Sequence, residues 1–389
     1  MSNSEMLSGQ IWNNWKNGIS RARTARKRQP MEAEYGGLAE VQRRIREGLA
    51  TRIIGQDSAI QQILTAFFAG GHILILGVPG LAKTLMIRSL SELLDLQFSR
   101  VQFTPDLMPQ DITGTSILTS DSDGMDRGFR FRKGPLFANL LLGDEINRTP
   151  PKTQAALLEA MEEGQVTVMG QRHKLPVPFF VMATQNPLEQ EGTYLLPSTQ
   201  LDRFAFQVML DYPNEAEELE LVSSTTARTE EPLHPVIPGS WVTDAIEEIR
   251  KVVIPDWVLL RATRMVRATR PGEVDGCEVA RELLSHGAGP RGIQTMLTTS
   301  RALAALRGRN TVIAEDLDEV ILPSLRHRIV LSVHADAEGL TQDDVIQRVR
   351  ESIGDLDGDM PRIQDGELGF LRRWLEKLSD TTPDFKVSK

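Results

Sequence analysis

Residues 72–84 read HILILGVPGLAKT, an apolar run followed by a glycine-bearing loop that ends in lysine and threonine. A short apolar run bounded by glycines is the pattern of a strand buried on both faces of a parallel sheet. His72–Leu76 therefore predicts a strand, and a helix should begin at Lys83. Between them, the loop Gly77-Val78-Pro79-Gly80-Leu81-Ala82 can wrap a phosphate chain with its backbone N–H groups, helped by the positive end of the helix. Lys83 can reach the terminal phosphates, and the Thr84 hydroxyl can ligate magnesium. The residue before the lysine is Ala82, where the general pattern has glycine; the cost is modest if its φ is negative.

Other segments extend this frame. Leu38, Val41, Ile45 and Leu49 recur at helical spacing, and Ala59–Phe68 reads as a second helix. Ser99–Phe103, Leu140–Leu142, Phe179–Thr184 and Phe204–Leu210 read as further strands, with a helix over Lys152–Glu163. Residues 105–135 mix Pro, Gly, Asp and Thr and read as an insertion or long loop. Strands alternating with helices predict a three-layer αβα unit around a parallel sheet, over residues 36–212. A polar linker, 213–238, leads to an all-helical second domain, 239–334, with helices expected over Trp257–Thr269, Cys277–His286, Ile293–Leu306 and Ala314–Leu322. Residues 335–389 read as an acidic extension with two helices separated by Gly354–Gly358.

Leu140-Leu141-Leu142-Gly143-Asp144-Glu145 is an apolar strand ending in two acids, which delivers carboxylates to the sheet edge where ligands bind. Asp144 is suited to hold magnesium through its water shell, and Glu145 to polarise an attacking water as general base. In Phe179–Pro187 another buried strand ends in a polar amide, Asn186, whose side chain can orient that water. Arg203 in Leu-Asp-Arg-Phe and Arg291 in Gly-Pro-Arg are candidates to meet the γ-phosphate, because a guanidinium is permanently charged and forked. Arg148, three residues after Glu145, is a weaker candidate.

The chain has 389 residues, enough for two packed units, and carries a net charge of −9, which argues against a dedicated nucleic-acid binder. The charge is uneven: residues 1–35 form a basic extension, in which residues 1–30 carry Lys16, Arg21, Arg23, Arg26, Lys27 and Arg28 against Glu5 alone, with Trp12 and Trp15 to pack on a partner. No apolar run approaches the roughly 20 residues of a membrane helix. The first residues lack a secretory pattern, and Cys277 is the only cysteine, which together fit a cytoplasmic protein.

Longer blocks carry a family resemblance. Gln102–Leu107, Asp111–Gly114, Gly134–Asn139, Asp144–Arg148, Pro150–Glu163, Ala183–Pro187 and Glu189–Tyr194 together resemble the MoxR family of AAA+ ATPases, over about residues 38–330. The resemblance implies ATP and Mg2+ as ligands, an αβα nucleotide domain with a helical lid, and two insertions. One insertion falls at roughly residues 107–133, and the other is a hairpin at roughly Gln165–Leu175. It implies rings, commonly hexamers, with ATP between neighbours. Arg203 then looks like a finger entering a neighbour's site, Arg291 like the lid's second sensor, and Ile53, Ile54 and Gly55 like the lining of the adenine pocket. Gly289-Pro290 and Thr199 depart from the usual pattern without touching the phosphate-binding groups.

The resemblance favours an ATP-driven, chaperone-like remodeller that assembles or activates a client protein complex, often beside a partner with a von Willebrand factor A domain. The alternative is a nucleic-acid motor. Arg172, His173 and Lys174 on the second hairpin favour that alternative, whereas the first insertion balances Asp111, Asp121, Asp123 and Asp126 against Arg127, Arg130, Arg132 and Lys133. A scaffold that binds ATP without hydrolysing it is disfavoured by the intact Glu145.

Overall fold

A computed structural model describes residues 35–120, 127–186, 193–227 and 232–354. The basic extension, the second helix expected in the acidic tail, and the Glu189–Gly192 part of the family block lie outside these residues, apart from Tyr35.

In chain order the strands are β1 (Ile73–Leu76), β2 (Phe98–Gln102), β3 (Gly114–Ser120), β4 (Arg127–Lys133), β5 (Leu140–Asp144), β6 (Gln165–Val168), β7 (Gln171–Lys174), β8 (Phe180–Gln185), β9 (Phe206–Met209), β10 (Leu284–His286) and β11 (Val330–Leu331). Five of them form the central sheet in the order β2-β5-β8-β1-β9, every neighbouring pair parallel. Their side chains divide with period two. Ile73, Ile75, Leu140, Leu142, Phe180, Met182, Phe206 and Val208 face one core, while Leu74, Leu141, Val181 and Ala183 face the other. Burial on both faces is why these strands read as continuous apolar runs.

The first core is closed by α1 (Gly37–Ala50), α2 (Asp57–Phe68) and α3 (Lys83–Leu93), through residues such as Ile45, Leu64, Phe67 and Leu90. The second is closed by α4 (Pro109–Thr113) and α5 (Pro151–Glu163), through Ile112, Leu157, Leu158 and Met161. The predicted αβα layering is present.

The expected strands and helices appear to within three residues, with four differences. The described part of residues 105–135 is not a long loop: α4 leads into an antiparallel hairpin of β3 and β4, with Ile117 opposite Arg130. The alternation Phe129-Arg130-Phe131-Arg132 is a strand pattern that the surrounding Gly, Asp and Thr obscure. The 213–238 linker contains a 13-residue helix, α7 (Glu215–Ala227), which follows the short α6 (Ser198–Leu201).

The other two differences concern the second domain, which opens with α8 (Gly239–Ile249) and α9 (Asp256–Ala268). The expected helix Cys277–His286 stops early. It is α10 (Glu278–Leu283), and Leu284–His286 turns into β10, paired antiparallel with β11. The domain continues through α11 (Pro290–Leu306), α12 (Ala314–Leu325), α13 (Val333–Ala337) and α14 (Gln342–Ile353). α14 buries Val345, Ile346 and Val349 in the same core as the other lid helices, so the helical unit runs past the boundary expected at 334. The expected second hairpin, β6–β7, turns at Met169-Gly170. Among the described residues, no helix is long and apolar enough to cross a membrane.

The lid grips the nucleotide domain beside the start of β9. Arg326 donates to the Gln207 carbonyl at 3.1 Å, and His327 Nε2 donates to the Phe204 carbonyl at 3.0 Å. Arg328 donates to the Asp202 carboxylate at 2.7 Å and to the carbonyls of Asp202, Phe204 and Ala205. At the start of β1, His72 ties three elements together. Its Nδ1 accepts from the Val181 N–H of β8, which leaves Nε2 to donate to the Met161 carbonyl at the end of α5, both at 3.1 Å.

The His72 ring must be neutral to make both of its bonds, because its Nδ1 accepts. Burial lowers His72 to about 4 and also pushes His327 well below the ordinary histidine value. The unfolded chain therefore binds more protons than the folded one between those limits. The stabilisation is full above about pH 6.5 and is lost as pH falls towards 4. For the half-buried His72 this amounts to on the order of 2 kcal/mol. Chemical denaturation at intervals from about pH 7 to about pH 5 should show stability falling with acid, and His72→Gln should flatten that slope. An unchanged slope would remove His72 from this role.

Candidate nucleotide site

The carboxyl ends of the parallel strands bring the predicted phosphate chemistry to one edge. β1 runs into Gly77, and α3 begins at Lys83, so the loop lies between a strand end and a helix N-terminus. The Lys83 ammonium donates to the Gly77 carbonyl. Partial burial lowers the Lys83 pKa, while Asp144 and Glu145 hold it up, which puts all three charges in one neighbourhood. A Cβ at Gly77 would stand 2.9 Å from the Leu210 Cβ, so glycine allows this loop to pass close to the end of β9. Ala82 has φ 54°, in the left-handed region, so the condition for a cheap replacement of glycine is not met. The strain of an L-residue there is roughly 1–2 kcal/mol.

Asp144 is the last residue of β5, and Glu145 follows it in a left-handed conformation with φ 57°. The β5–β8 register pairs Gly143 with Ala183, which brings Thr184 beside the two acids. The buried Thr184 hydroxyl donates to the Asp144 carboxylate at 2.7 Å and accepts from the Glu145 N–H at 2.9 Å. From β2, Arg100 donates to the other Asp144 oxygen at 2.7 Å, and Gln102 donates to Glu145 at 2.8 Å. Arg148 reaches the same Glu145 oxygen at 3.2 Å, which gives that weaker candidate a contact in the site. Asn186 is buried one residue beyond β8.

Thr184, Arg100 and Gln102 were not anticipated from the sequence. β2 was legible as a strand, but its place beside the acids and which of its side chains pair with them depend on sheet order and register.

The candidate adenine segment lies on the same side. Ile53 is buried, and Gly55, with φ 73°, faces Glu217 and Pro213 just beyond β9. Gln56 ties this segment down by donating to the Asp211 carbonyl at 2.9 Å.

Magnesium fits the donors present. Asp144 and Thr84 offer hard oxygens, and a cation that keeps most of its water and takes phosphate oxygens needs few protein ligands. Among the described residues, no cluster of three or more His, Cys, Asp or Glu offers an all-protein metal cage.

Arg203 and Arg291 lie elsewhere. Both reach the carboxylate of Glu162, at 3.0 and 2.5 Å, across a cavity of about 280 Å³ also lined by His72, Asp202 and Arg328. This is the amino edge of the sheet. The five residue steps from His72 to Gly77 span about 16 Å at strand rise, which puts the chain's own candidate phosphate loop beyond an arginine's reach. The fold therefore gathers the loop, the acids and Asn186 on one edge, and the two arginines on the other.

Comparison with known proteins agrees with this architecture. The profile of the ATPase family associated with various cellular activities (AAA) matches residues 72–206, and that of the AAA lid domain matches residues 278–349. Chaperone MoxR1 of Mycobacterium tuberculosis is 39% identical over 302 residues, covering 77% of this chain and 78% of that protein. The chain belongs to the MoxR family of AAA+ ATPases. The uncharacterized protein YeaC of Bacillus subtilis is 40% identical over 302 residues, covering 77% of this chain and 90% of its own length. A crystal structure of an ATPase candidate from Cytophaga hutchinsonii superposes with a TM-score of 0.75 at 37% identity, covering 81% of this chain and 94% of that one. The lid match runs to residue 349, within α14, in line with the packing of that helix.

For this MoxR-family chain, the strained loop position makes a prediction. Ala82→Gly should raise stability by roughly 1 kcal/mol, because relief of the left-handed strain outweighs the extra freedom of the unfolded chain. Thermal unfolding with and without nucleotide is the check. A fall in midpoint would show that the Ala82 methyl contributes packing that outweighs its strain.

Proposed function

We propose that this protein binds ATP with Mg2+ at the carboxyl edge of its sheet and hydrolyses it where a second copy presents Arg203 and Arg291. Lys83 neutralises the terminal phosphates within a cradle of backbone N–H groups. Thr84 and Asp144 hold the Mg2+, which offsets phosphate charge when bound. Glu145 takes the proton of the attacking water, and Asn186 orients that water. Arg203 and Arg291 stabilise the charge on the transferred phosphoryl group. The observation that carries this reading is the separation of the two edges: a chain whose arginines face away from its own phosphate loop completes its site only with a neighbour.

A closed ring satisfies every such site with one repeated contact, and the family resemblance favours six subunits. The relative named as a chaperone supports ATP-driven work on a protein client, so the ring acts as a remodeller that assembles or activates another complex, in the cytoplasm. A von Willebrand factor A protein is the proposed co-partner.

Lys83→Ala should abolish nucleotide binding, because the phosphates lose their main counter-charge. Near-native affinity in a fluorescent-nucleotide titration would sink the assignment.

Mixing experiments test the divided site. Arg203→Ala and Glu145→Gln chains are each inactive alone, since an arginine supplied by a neighbour contributes roughly three to five powers of ten in turnover in other nucleotide hydrolases. Mixed, they should regain activity wherever a native Glu145 meets a native Arg203. A mixture of Arg203→Ala with Arg291→Ala should gain nothing over either variant alone, because both arginines reach a site from the same neighbour. Recovery in that second mixture would assign the two arginines to different subunits of a site. No recovery in the first, with mixed assemblies confirmed by mass, would make Arg203 structural or local.

A further inference from the structure

Glu162 occupies the last turn of α5, where a carboxylate is disfavoured by the negative end of the helix dipole. Its two oxygens are divided between two domains. One accepts from Arg203 Nη2 of the nucleotide domain at 3.0 Å, the other from Arg291 Nη2 of the lid at 2.5 Å. Arg203 Nη1 also donates to the Leu158 carbonyl, one turn earlier on the same helix, at 2.9 Å. The two guanidiniums therefore converge on one carboxylate, and they supply the positive charge that a helix C-terminus favours.

We propose that Glu162 is the positioning residue that holds Arg203 and Arg291 side by side, so that a neighbour's γ-phosphate meets both at once. This rests on the reading that the two arginines serve a neighbouring subunit's site.

Three features support it. First, the side chains of Arg203, Arg291 and Glu162 are 30%, 42% and 42% exposed, so the cluster is open to an incoming anion and not sealed as a core ion pair. One carboxylate against two guanidiniums leaves one positive charge in excess, and the Arg328–Asp202 pair beside it is neutral. An approaching phosphate therefore meets net positive charge already gathered in one place.

Second, the platform under Glu162 is fixed. The adjoining Met161 carbonyl is bonded by His72, which is itself bonded to β8, so the end of α5 is tied to the sheet. Asp202, next to Arg203, is held by the buried Arg328 of the lid, and Arg328 also donates to the Thr295 hydroxyl on α11, the helix that carries Arg291. Third, without Glu162 two long side chains of like charge would repel each other and spread over many rotamers. Holding them in advance removes that ordering cost from the reaction.

The test uses the assembled full-length chain. It measures ATP turnover and fluorescent-nucleotide affinity for Glu162→Ala, Glu162→Gln, Arg203→Ala, Arg291→Ala, and Glu162→Ala combined with Arg291→Ala. Misplacing a group by about 1 Å can cost about a hundredfold, so Glu162→Ala should lower kcat by roughly ten- to a hundredfold with nucleotide affinity unchanged. Glu162→Gln, which keeps the shape but one accepting oxygen, should fall between. In the Arg291→Ala background, the further loss from Glu162→Ala should be smaller than in the native chain, because one of its two partners is gone.

A native or raised kcat for both Glu162 variants overturns the proposal. So does a loss that is the same in both backgrounds, or one that appears entirely as weaker nucleotide binding. Native turnover by Arg203→Ala and Arg291→Ala overturns the neighbour-site reading itself, and this proposal with it. The isosteric Glu162→Gln keeps the comparison decisive if Glu162→Ala assembles poorly.

Discussion

All five strands of the central sheet run the same way, and that polarity decides what each edge can do. Ligands of parallel sheets sit beyond the carboxyl ends of the strands, where loops lead into helix N-termini. Here β1, β5 and β8 end in the phosphate loop, in Asp144 and Glu145, and just before Asn186. The opposite edge gathers the starts of the strands and the C-terminus of α5, which favours cations. Arg203 and Arg291 sit there. A parallel sheet thus separates the candidate phosphate-binding groups from the arginines by the length of a strand. A copy stacked edge to edge would bring the two sets together.

That arrangement requires the lid to stay registered against the nucleotide domain, and the segment Arg326-His327-Arg328 does this with buried polar contacts. Arg328 is almost wholly buried, and burial alone would disfavour its charge; Asp202 and a set of carbonyl acceptors compensate. A buried ion pair adds little net stability but makes the loss of either partner costly, by roughly 3–5 kcal/mol. The contact therefore selects one docking geometry of the lid over others. In that geometry α11 brings Arg291 to the same carboxylate as Arg203.

The legible part of the sequence was the part in which chemistry dictates residue type at a strand end. Lys83 and Thr84 after HILIL, and Asp144 and Glu145 after LLLG, could be placed at a common edge because each follows an apolar run. Long-range pairing was not legible. Thr184 looks like an ordinary strand residue until the β5–β8 register puts its hydroxyl between two acids. Glu162 is one of several acids on an amphipathic helix until the lid folds back to it. The hairpin of β3 and β4 was hidden by its composition, and Leu284–His286 by its shortness, since three residues carry no readable period. Arg203 and Arg291 stood out in the sequence as candidates to meet a phosphate, but their joint position on the far edge follows from tertiary structure alone.

Backbone strain adds a last constraint. Among the described residues, four non-glycine residues have positive φ: Ala82, Asp95, Glu145 and Met169. Met169 is at a hairpin turn, but Ala82 and Glu145 flank the space between Lys83 and Asp144. Each left-handed residue costs on the order of 1 kcal/mol and persists where neighbours over-determine it. At Glu145 those neighbours are visible: Thr184 accepts the backbone N–H, while Gln102 and Arg148 hold the carboxylate. Both side-chain bonds fall on one carboxylate oxygen, Oε2. The groups that keep this residue in its strained conformation thus also orient the carboxylate proposed to take the proton of the attacking water. Arg148 stands at the threshold of α5, whose far end holds Glu162, so one helix joins the neighbourhood of Glu145 to the arginines of the opposite edge.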